Sequence, residues 1–396
     1  MTFHELKDNK EKILPLFPSS DHHLTIEAVI EGNCEGKILV DNTENPQTAA
    51  VWTAPGEEAL IYLGGLSDDT SFNAQLQKYF VEVIKPESIK RGLDAYQFYP
   101  TDNWEDVLSA VFKEDMLKDR DSYYILNPTK FRKLQSNWKE NIPDGFLLKR
   151  LESQDVFDKG RNVPVFGEMH SWKSFAKFSK YGIGYYLVEE KTGRIVSGCI
   201  TKVVALQKGR CEAAIGTDQN YRKRGFATLV ACAVVDEALK KGLDVIWECF
   251  HGNTASIATN QKLGFEYICD ENFHFGFLYE SLQNLCFMGY YQLTELDNQK
   301  EAAEWFKKAI AKSEKEGQPI SGGYNFYAAC AFAAVEEYDS AIECLYAALE
   351  KLENPEQFLN RLKDEKAFNT LRDTQDFRDI LQELEKMVAE GADNAH

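Results

Sequence analysis

The chain has 396 residues, 44% hydrophobic and 27% charged, enough for two or three domains with cores of their own; this excludes a disordered tail or a staple-dependent peptide. Sixty-three acidic residues against 45 basic give a formal charge of -18, which repels nucleic acid and anionic membranes, so any bound anion needs a local feature to hold it. Nine cysteines stand without a CxxC pair, and no apolar run is long enough to span a bilayer, which together predict a reduced cytoplasmic protein with no membrane span.

In chain order, a short helix is expected around Glu5 to Leu14 and a strand in the alternating "LTIEAVIEG" of Leu24 to Gly32. "GKILVDN", "AAVWTA" and "ALIYLGG" read as further strands around the turn-rich "TENPQ". Helical patterns follow near Ser71 to Val83 and Trp104 to Phe112, so residues 1–146 are expected to form a small α+β unit with no concentrated chemistry.

The pattern restarts at Leu147. "FLLKRLE" is a strand, "HSWKSFAKFSKY" a helical or irregular crossover, and "GIGYYLVEEKTGRIVSGCITKVV" two strands whose turn places Gly193 at positive φ. "GRCEAAIGT" is a strand, a helix runs from near Gly225 to Lys241, and "DVIWECF", "NTASIATNQKLGF" and "FEYICDENFHFGFL" give strand, helix and strand. Residues 147–290 are therefore an α/β domain with a mixed sheet.

From about residue 291 only helices are expected. Ala302, Ala303, Phe306, Ala309 and Ile310 fall at helical spacing, with Gly317 and Pro319 as the stop. The stretch "YNFYAACAFAAVEEYDSAIECLYAALEKL" resembles a tetratricopeptide unit in Ala328, Phe332, Tyr338, Ala341 and Ala348. Domain packing or a homodimer outweighs recruitment of a protein partner by so short a repeat region.

The sharpest local feature is "NYRKRGFATLV". A helix starting near Gly225 leaves its first amide hydrogens unpaired, and its dipole favours a phosphate there. Gly225 and Ala227 keep bulk out of that space, while Arg222, Lys223 and Arg224 supply positive charge.

This stretch resembles the acyl-coenzyme A signature of the GNAT superfamily of N-acetyltransferases, Gln/Arg-x-x-Gly-x-Gly/Ala before a helix, with Arg222, Gly225 and Ala227 in the three places. The downstream block with Asn253, Lys262, Gly264 and Phe265 fits the same family, and the likeness covers roughly Leu147 to Leu278. It implies a GNAT-type mixed twisted sheet with helices, preceded by a smaller α+β domain and followed by an all-helical repeat-like domain. The N-terminal "GKILVDNTENPQTAAVW" resembles the front half of a bacterial subgroup with a degenerate second acetyltransferase-like domain, a subgroup that includes a zwittermicin A resistance protein.

The resemblance implies acetyl-CoA as cofactor and direct attack by a primary amine of a small molecule or aminated natural product. Pyrophosphate would rest on residues Arg222, Lys223, Arg224, Gly225, Phe226 and Ala227, and the pantetheine arm along the strand at Ile215 and Thr217, with Asn253 and Ser256 contributing from the next helix. Glu212 is the candidate base, directly or through water; a surface-strand carboxylate or a structural pair is its plain alternative. The family's tyrosine acid is replaced by Asn260, which leaves His251, Tyr267 or water to serve the thiolate. This departure favours a second reading, a non-enzymatic coenzyme A-binding or protein-interaction module. Glu168, His170, Trp172 and Tyr185 are candidate acceptor contacts, although aromatic side chains more often serve a core. Cys211, Cys249 and His251 fit no compact metal signature, so no metal is expected, and the two cysteines read as buried apolar groups.

Overall fold

The computed structural model describes residues 3–18, 23–54, 56, 58–156, 163, 171–350, 352 and 354–393. These form two compact units, Met1–Leu278 and Tyr279–His396. The first is built on strands β1 (His4–Glu5), β2 (Gly36–Val40), β3 (Thr48–Thr53), β4 (Glu58–Gly65), β5 (Ala95–Pro100) and β6 (Leu117–Leu126). It continues with β7 (Phe146–Arg150), β8 (Gly184–Glu189), β9 (Ile195–Ala205), β10 (Arg210–Thr217), β11 (Asp244–Phe250) and β12 (Phe265–Phe277).

All twelve strands hydrogen-bond in one mixed sheet ordered β1-β2-β3-β4-β5-β12-β6-β11-β10-β9-β8-β7. Two pairs are parallel, β4 with β5 and β10 with β11, and each needs a helical crossover. From either edge, the strand order follows one pattern inward to a central antiparallel pair, β6 with β12. There the halves exchange strands: β6 pairs with β11, and β12 with β5. That exchange is why residues 146 and 147, the expected domain boundary, both lie in β7 inside a single unit.

Helices Thr70–Tyr79 and Phe226–Lys240 cover one face of the sheet, burying Phe72, Leu76, Phe226, Leu229, Val230 and Val234. Leu24–Ile30 covers the other. Here the sequence reading is corrected, because "LTIEAVI" is a helix and not a strand. Residues Leu24 through Val29 are all buried, so its polar residues lie inside as well, with Glu27 ion-paired to Lys208 at 2.6 Å. A segment buried all round carries no solvent-facing stripe, and its chance period of two misleads. The expected helix at Glu5–Leu14 is likewise β1 followed by a 3-10 turn, Lys10–Leu16, which enters through a left-handed Asn9 and contains Pro15. Gly193 does take positive φ, 69°, in the β8–β9 turn.

The second unit is helical, with hairpins Leu282–Thr294/Gln299–Glu316 and Gly322–Ala334/Tyr338–Leu349, then Pro355–Asp364 and Gln375–Asp393. Ala302, Ala303, Ala328, Ala341 and Ala348 are buried where helices approach, and Phe306 and Phe332 fill the core between them. Residues 290 and 291 lie inside the first of these helices.

Candidate functional site

β10 and β11 pair only from Arg210 to Glu212 against Asp244 to Ile246. Past that point β10 stays with β9 through a register shift at Glu212/Ala213, while β11 stays with β6, so the sheet opens between them. Ile215 and Thr217, half-exposed, border the opening, and the Thr217 hydroxyl meets Ser197 Oγ at 2.8 Å.

At the end of β10 the buried Asp218 accepts hydrogen bonds from Asn220 N and Arg194 Nε, both 3.0 Å, which fixes the turn into the next helix. Arg222 Nε donates to Thr217 O at 3.3 Å, and Arg224 lies over the Phe226, Phe146 and Tyr221 rings at 4.7, 5.2 and 5.4 Å. Lys223 and Gly225 take left-handed φ values of 61° and 81°. The Phe226–Lys240 helix has no side-chain cap, and a Cβ on Gly225 would meet nothing within 4 Å. Open space thus stands before unpaired amides and three exposed cations, which fits an acyl-coenzyme A pyrophosphate. Phe226 and Ala227 contribute backbone only to that space, since the Phe226 ring is buried in the core.

Asn253 caps the Thr254–Leu263 helix, Oδ1 accepting from Ser256 N at 3.0 Å, and Ser256 Oγ accepts from Trp247 Nε1 at 2.9 Å. Both side chains therefore hold local structure. Asn260, on the same helix, is fully buried, and neither Nδ2 nor Oδ1 has a hydrogen-bond partner among the described residues.

Glu212 closes the paired part of β10; it is 3% exposed, and its Oε1 is 3.4 Å from Lys202 Nζ. Lys202 in turn lines a cavity of about 220 Å³ with Glu58, Gln97, Tyr99, Asp121 and Glu248. Lys202 on β9 and Glu248 on β11 both line this cavity and stand on either side of β10 at the register where the opening begins. Strand alternation puts Glu248, Asp121 and Tyr99 on the face opposite the Phe226–Lys240 helix.

Tyr99 Oη lies 2.9 Å from both Gln97 Oε1 and Asp121 Oδ2. One hydroxyl proton serves only one acceptor; the other contact is made when Asp121 carries a proton or Gln97 turns its amide nitrogen inward. Burial pushes the Asp121 carboxyl up to about 7, against the Tyr99 hydrogen bond and the Lys202 charge, which pull it down. Burial also holds Tyr99 and Tyr123 well above the ordinary phenol range, so both stay neutral.

The other expected residues lie elsewhere. His251, with an exposed side chain just past β11, has Nδ1 at 3.1 Å from both Asp270 Oδ2 and Ser122 Oγ and does not line the cavity. Trp172 is core, donating Nε1–H to Thr201 O at 2.8 Å. Cys211 and Cys249 are buried, as expected. Glu168 and His170 lie outside the described residues.

Tyr185 donates to Glu237 Oε2 at 2.8 Å, near the C-terminal end of the Phe226–Lys240 helix, whose start is the anion cradle just described. Burial opposes ionisation of Glu237, but hydrogen bonds from Arg150, Tyr185 and Lys241 outweigh it and hold this carboxyl down at about 2. A depressed carboxyl stabilises the fold fully above the usual carboxylate range and ceases to do so as pH falls through its folded value. Acid unfolding of Glu237→Gln is therefore expected to lose part of the wild-type pH dependence between about pH 4 and pH 2, as followed by circular dichroism.

Asp121, Lys202 and the Gln97–Tyr99 pair escape a local reading because they come from three strands, β6, β9 and β5. The usable signal was Lys202, a charged side chain inside the apolar strand "CITKVVA"; Asp121, at the end of the charged run "KDRD", carried no such mark.

A family model described as GNAT acetyltransferase matches residues 14–271, a span that ends before the helical unit begins. The chain is 24% identical over 248 residues to a Bacillus subtilis (strain 168) protein described as uncharacterized N-acetyltransferase YdfB, covering 63% of this chain and 88% of that one. Among solved structures, a GCN5-related N-acetyltransferase-like protein from Streptococcus suis 89/1591 superposes with a TM-score of 0.49 at 18% identity, over 67% of this chain and 97% of that one. A GCN5-related N-acetyltransferase from Sphaerobacter thermophilus gives 0.44 at 14% identity, over 71% and 97%.

Proposed function

The chain belongs to the GNAT acetyltransferase family, and from that premise we propose that it moves an acetyl group from acetyl-CoA to a primary amine of a small molecule or aminated natural product. The observation that carries this reading is the opening between β10 and β11, with an uncapped, cation-flanked helix start on one face and a polar cavity on the other.

In this reading the amides of Gly225, Phe226 and Ala227, with Arg222 and Lys223, hold the pyrophosphate, and the unpaired edge of β10 at Ile215–Thr217 holds the arm. Bound there, acetyl-CoA supplies an activated acetyl carbon. The cavity face carries Lys202, whose ammonium stands 3.4 Å from the Glu212 carboxylate at the point where the strands part. Glu212 and His251 stay the proposed catalytic residues from sequence, and Glu168 and His170 proposed acceptor contacts. Trp172 and Tyr185 act in this reading by holding the strands that frame the site.

The first half of the sheet is proposed to be a degenerate repeat of the second. Its parallel pair is closed from Glu58 to Leu63 against Ala95 to Pro100, and its crossover helix is capped by Asp69, an anion where the second half presents Gly225. The helical unit is proposed as a tetratricopeptide-like packing or dimerisation element, the protein as cytoplasmic, and the zwittermicin A resistance-like subgroup as the relative that points to an aminopolyol acceptor. Asn260 in the tyrosine place favours the second reading, a coenzyme A-binding module without turnover.

Calorimetric titration with acetyl-CoA, followed by a free-thiol assay across a panel of amines, tests the proposal. Saturable binding and amine-dependent thiol release are expected. Binding with no release by any amine supports the second reading, and no binding overturns both.

A further inference from the structure

We propose that Asp121, carried on β6 from the first half of the chain, is the group that takes the proton from the acceptor ammonium. This rests on the transferase reading and deepens it. Asp121 lines the cavity over the β10/β11 opening, is 4% exposed, and has Oδ2 fixed by Tyr99. Glu212, the base expected from sequence, does not line that cavity and faces Lys202. The strand exchange places Asp121 opposite Phe250 on β11, at the border of the opening, so the first half of the chain supplies chemistry to the second.

A general base works best when its pKa lies near the working pH, and burial puts Asp121 there, at about 7. The charged and titratable groups around it are Tyr99 on β5, Lys202 on β9, Glu212 on β10, Glu248 and Cys249 on β11, Glu58 on β4, Glu271 at the opposing β12 position, and Asp119 and Tyr123 on its own strand. His23, at the start of the covering helix, meets the Tyr99 ring at 5.3 Å. The Lys202 charge favours the carboxylate, while Glu212 and Asp119 favour the acid.

The Asp121 carboxylate accepts one proton from the ammonium, leaving a neutral amine with a free lone pair. That nitrogen bonds to the acetyl carbon as the carbon–sulfur bond breaks, and the second nitrogen proton passes through water to the departing sulfur. Asp121 then returns its proton to solvent. Charge and protons balance without another reactant.

The test uses the full chain, acetyl-CoA and the best amine from the thiol-release panel, with kcat/KM followed across neutral pH. Wild type is expected to show an acid limb near pH 7 that stays in place for two acceptors of different basicity, which assigns it to the protein. Asp121→Asn keeps the shape and a Tyr99 contact; it is expected to lower kcat/KM by about 100-fold or more and to erase that limb, with acetyl-CoA affinity unchanged. An acceptor already neutral at the assay pH is expected to lose far less, a dependence that a structural role would not produce. Wild-type turnover whose limb moves with acceptor basicity, or an Asp121→Asn variant that keeps rate and limb while Glu212→Gln loses both, overturns the proposal alone. Absence of wild-type turnover with every amine overturns it together with the transferase reading.

Discussion

Gly225→Glu is expected to abolish acetyl-CoA binding in a protein that still folds. At φ 81° the glycine holds a conformation that costs an L residue about 1–2 kcal/mol, yet its missing Cβ faces open space, so the new side chain meets no clash. A carboxylate at a helix start gains about 0.3–1 kcal/mol from the dipole, which offsets part of that strain. The net change in stability is small, whereas the effect on a phosphate is not. The carboxylate sits where an anion must rest, takes up the first-turn amides and cancels one of the charges of Arg222, Lys223 and Arg224. Affinity is expected to fall by about 100-fold or more, ~2.8 kcal/mol. Gly225→Ala shares the strain without the charge and is expected to keep most of the binding; calorimetry and thermal unfolding of both variants separate the two effects. Equal loss of affinity in both would assign the effect to backbone conformation and count against an anion cradle.

The cradle was legible because its parts are contiguous: cations, a glycine and an apolar run fix the helix start within a few residues. Asn253 and Gly264 stood out in sequence as parts of one block, and the structure makes them the cap and the left-handed stop of one helix. What sequence could not reveal is set by pairing over long separations. The exchange of β6 and β12 joins strands more than a hundred residues apart, and no local pattern records which strand lies beside which. The cavity inherits that blindness, since Asp121, Lys202 and Glu248 meet only after the exchange. Leu24–Ile30 was misread because burial on every side erases the amphipathic signal. Trp172 and Tyr185 looked like a substrate mouth, but their polar atoms bond to Thr201 and Glu237 at strand and helix surfaces already packed.

Asn260→Leu is expected to raise stability and lower turnover together. Asn260 is three residues from both Ile257 and Leu263, which pack on the core cluster of the second half of the sheet, and it is fully buried. Its amide nitrogen and oxygen have no partner among the described residues, and each such buried polar group costs about 1–3 kcal/mol. Leucine keeps the branching at Cγ, removes both groups and adds apolar contacts, so a gain of about 1–3 kcal/mol, a few degrees in unfolding temperature, is expected. A fall in unfolding temperature would show that the amide is satisfied in solution, by water or by repacking. An amide held unpaired in a core is otherwise a standing loss, and the resemblance places it where the family carries its proton donor to the leaving thiolate. Asparagine cannot serve as that acid at neutral pH, but its Nδ2–H can donate a hydrogen bond to a departing sulfur. Under the transferase proposal, kcat of Asn260→Leu is therefore expected to fall by about 10-fold or more, the scale of one hydrogen bond to a charged group, with acetyl-CoA affinity unchanged. Greater stability with unchanged kcat would leave the amide without a catalytic part and the departing sulfur stabilised by water alone.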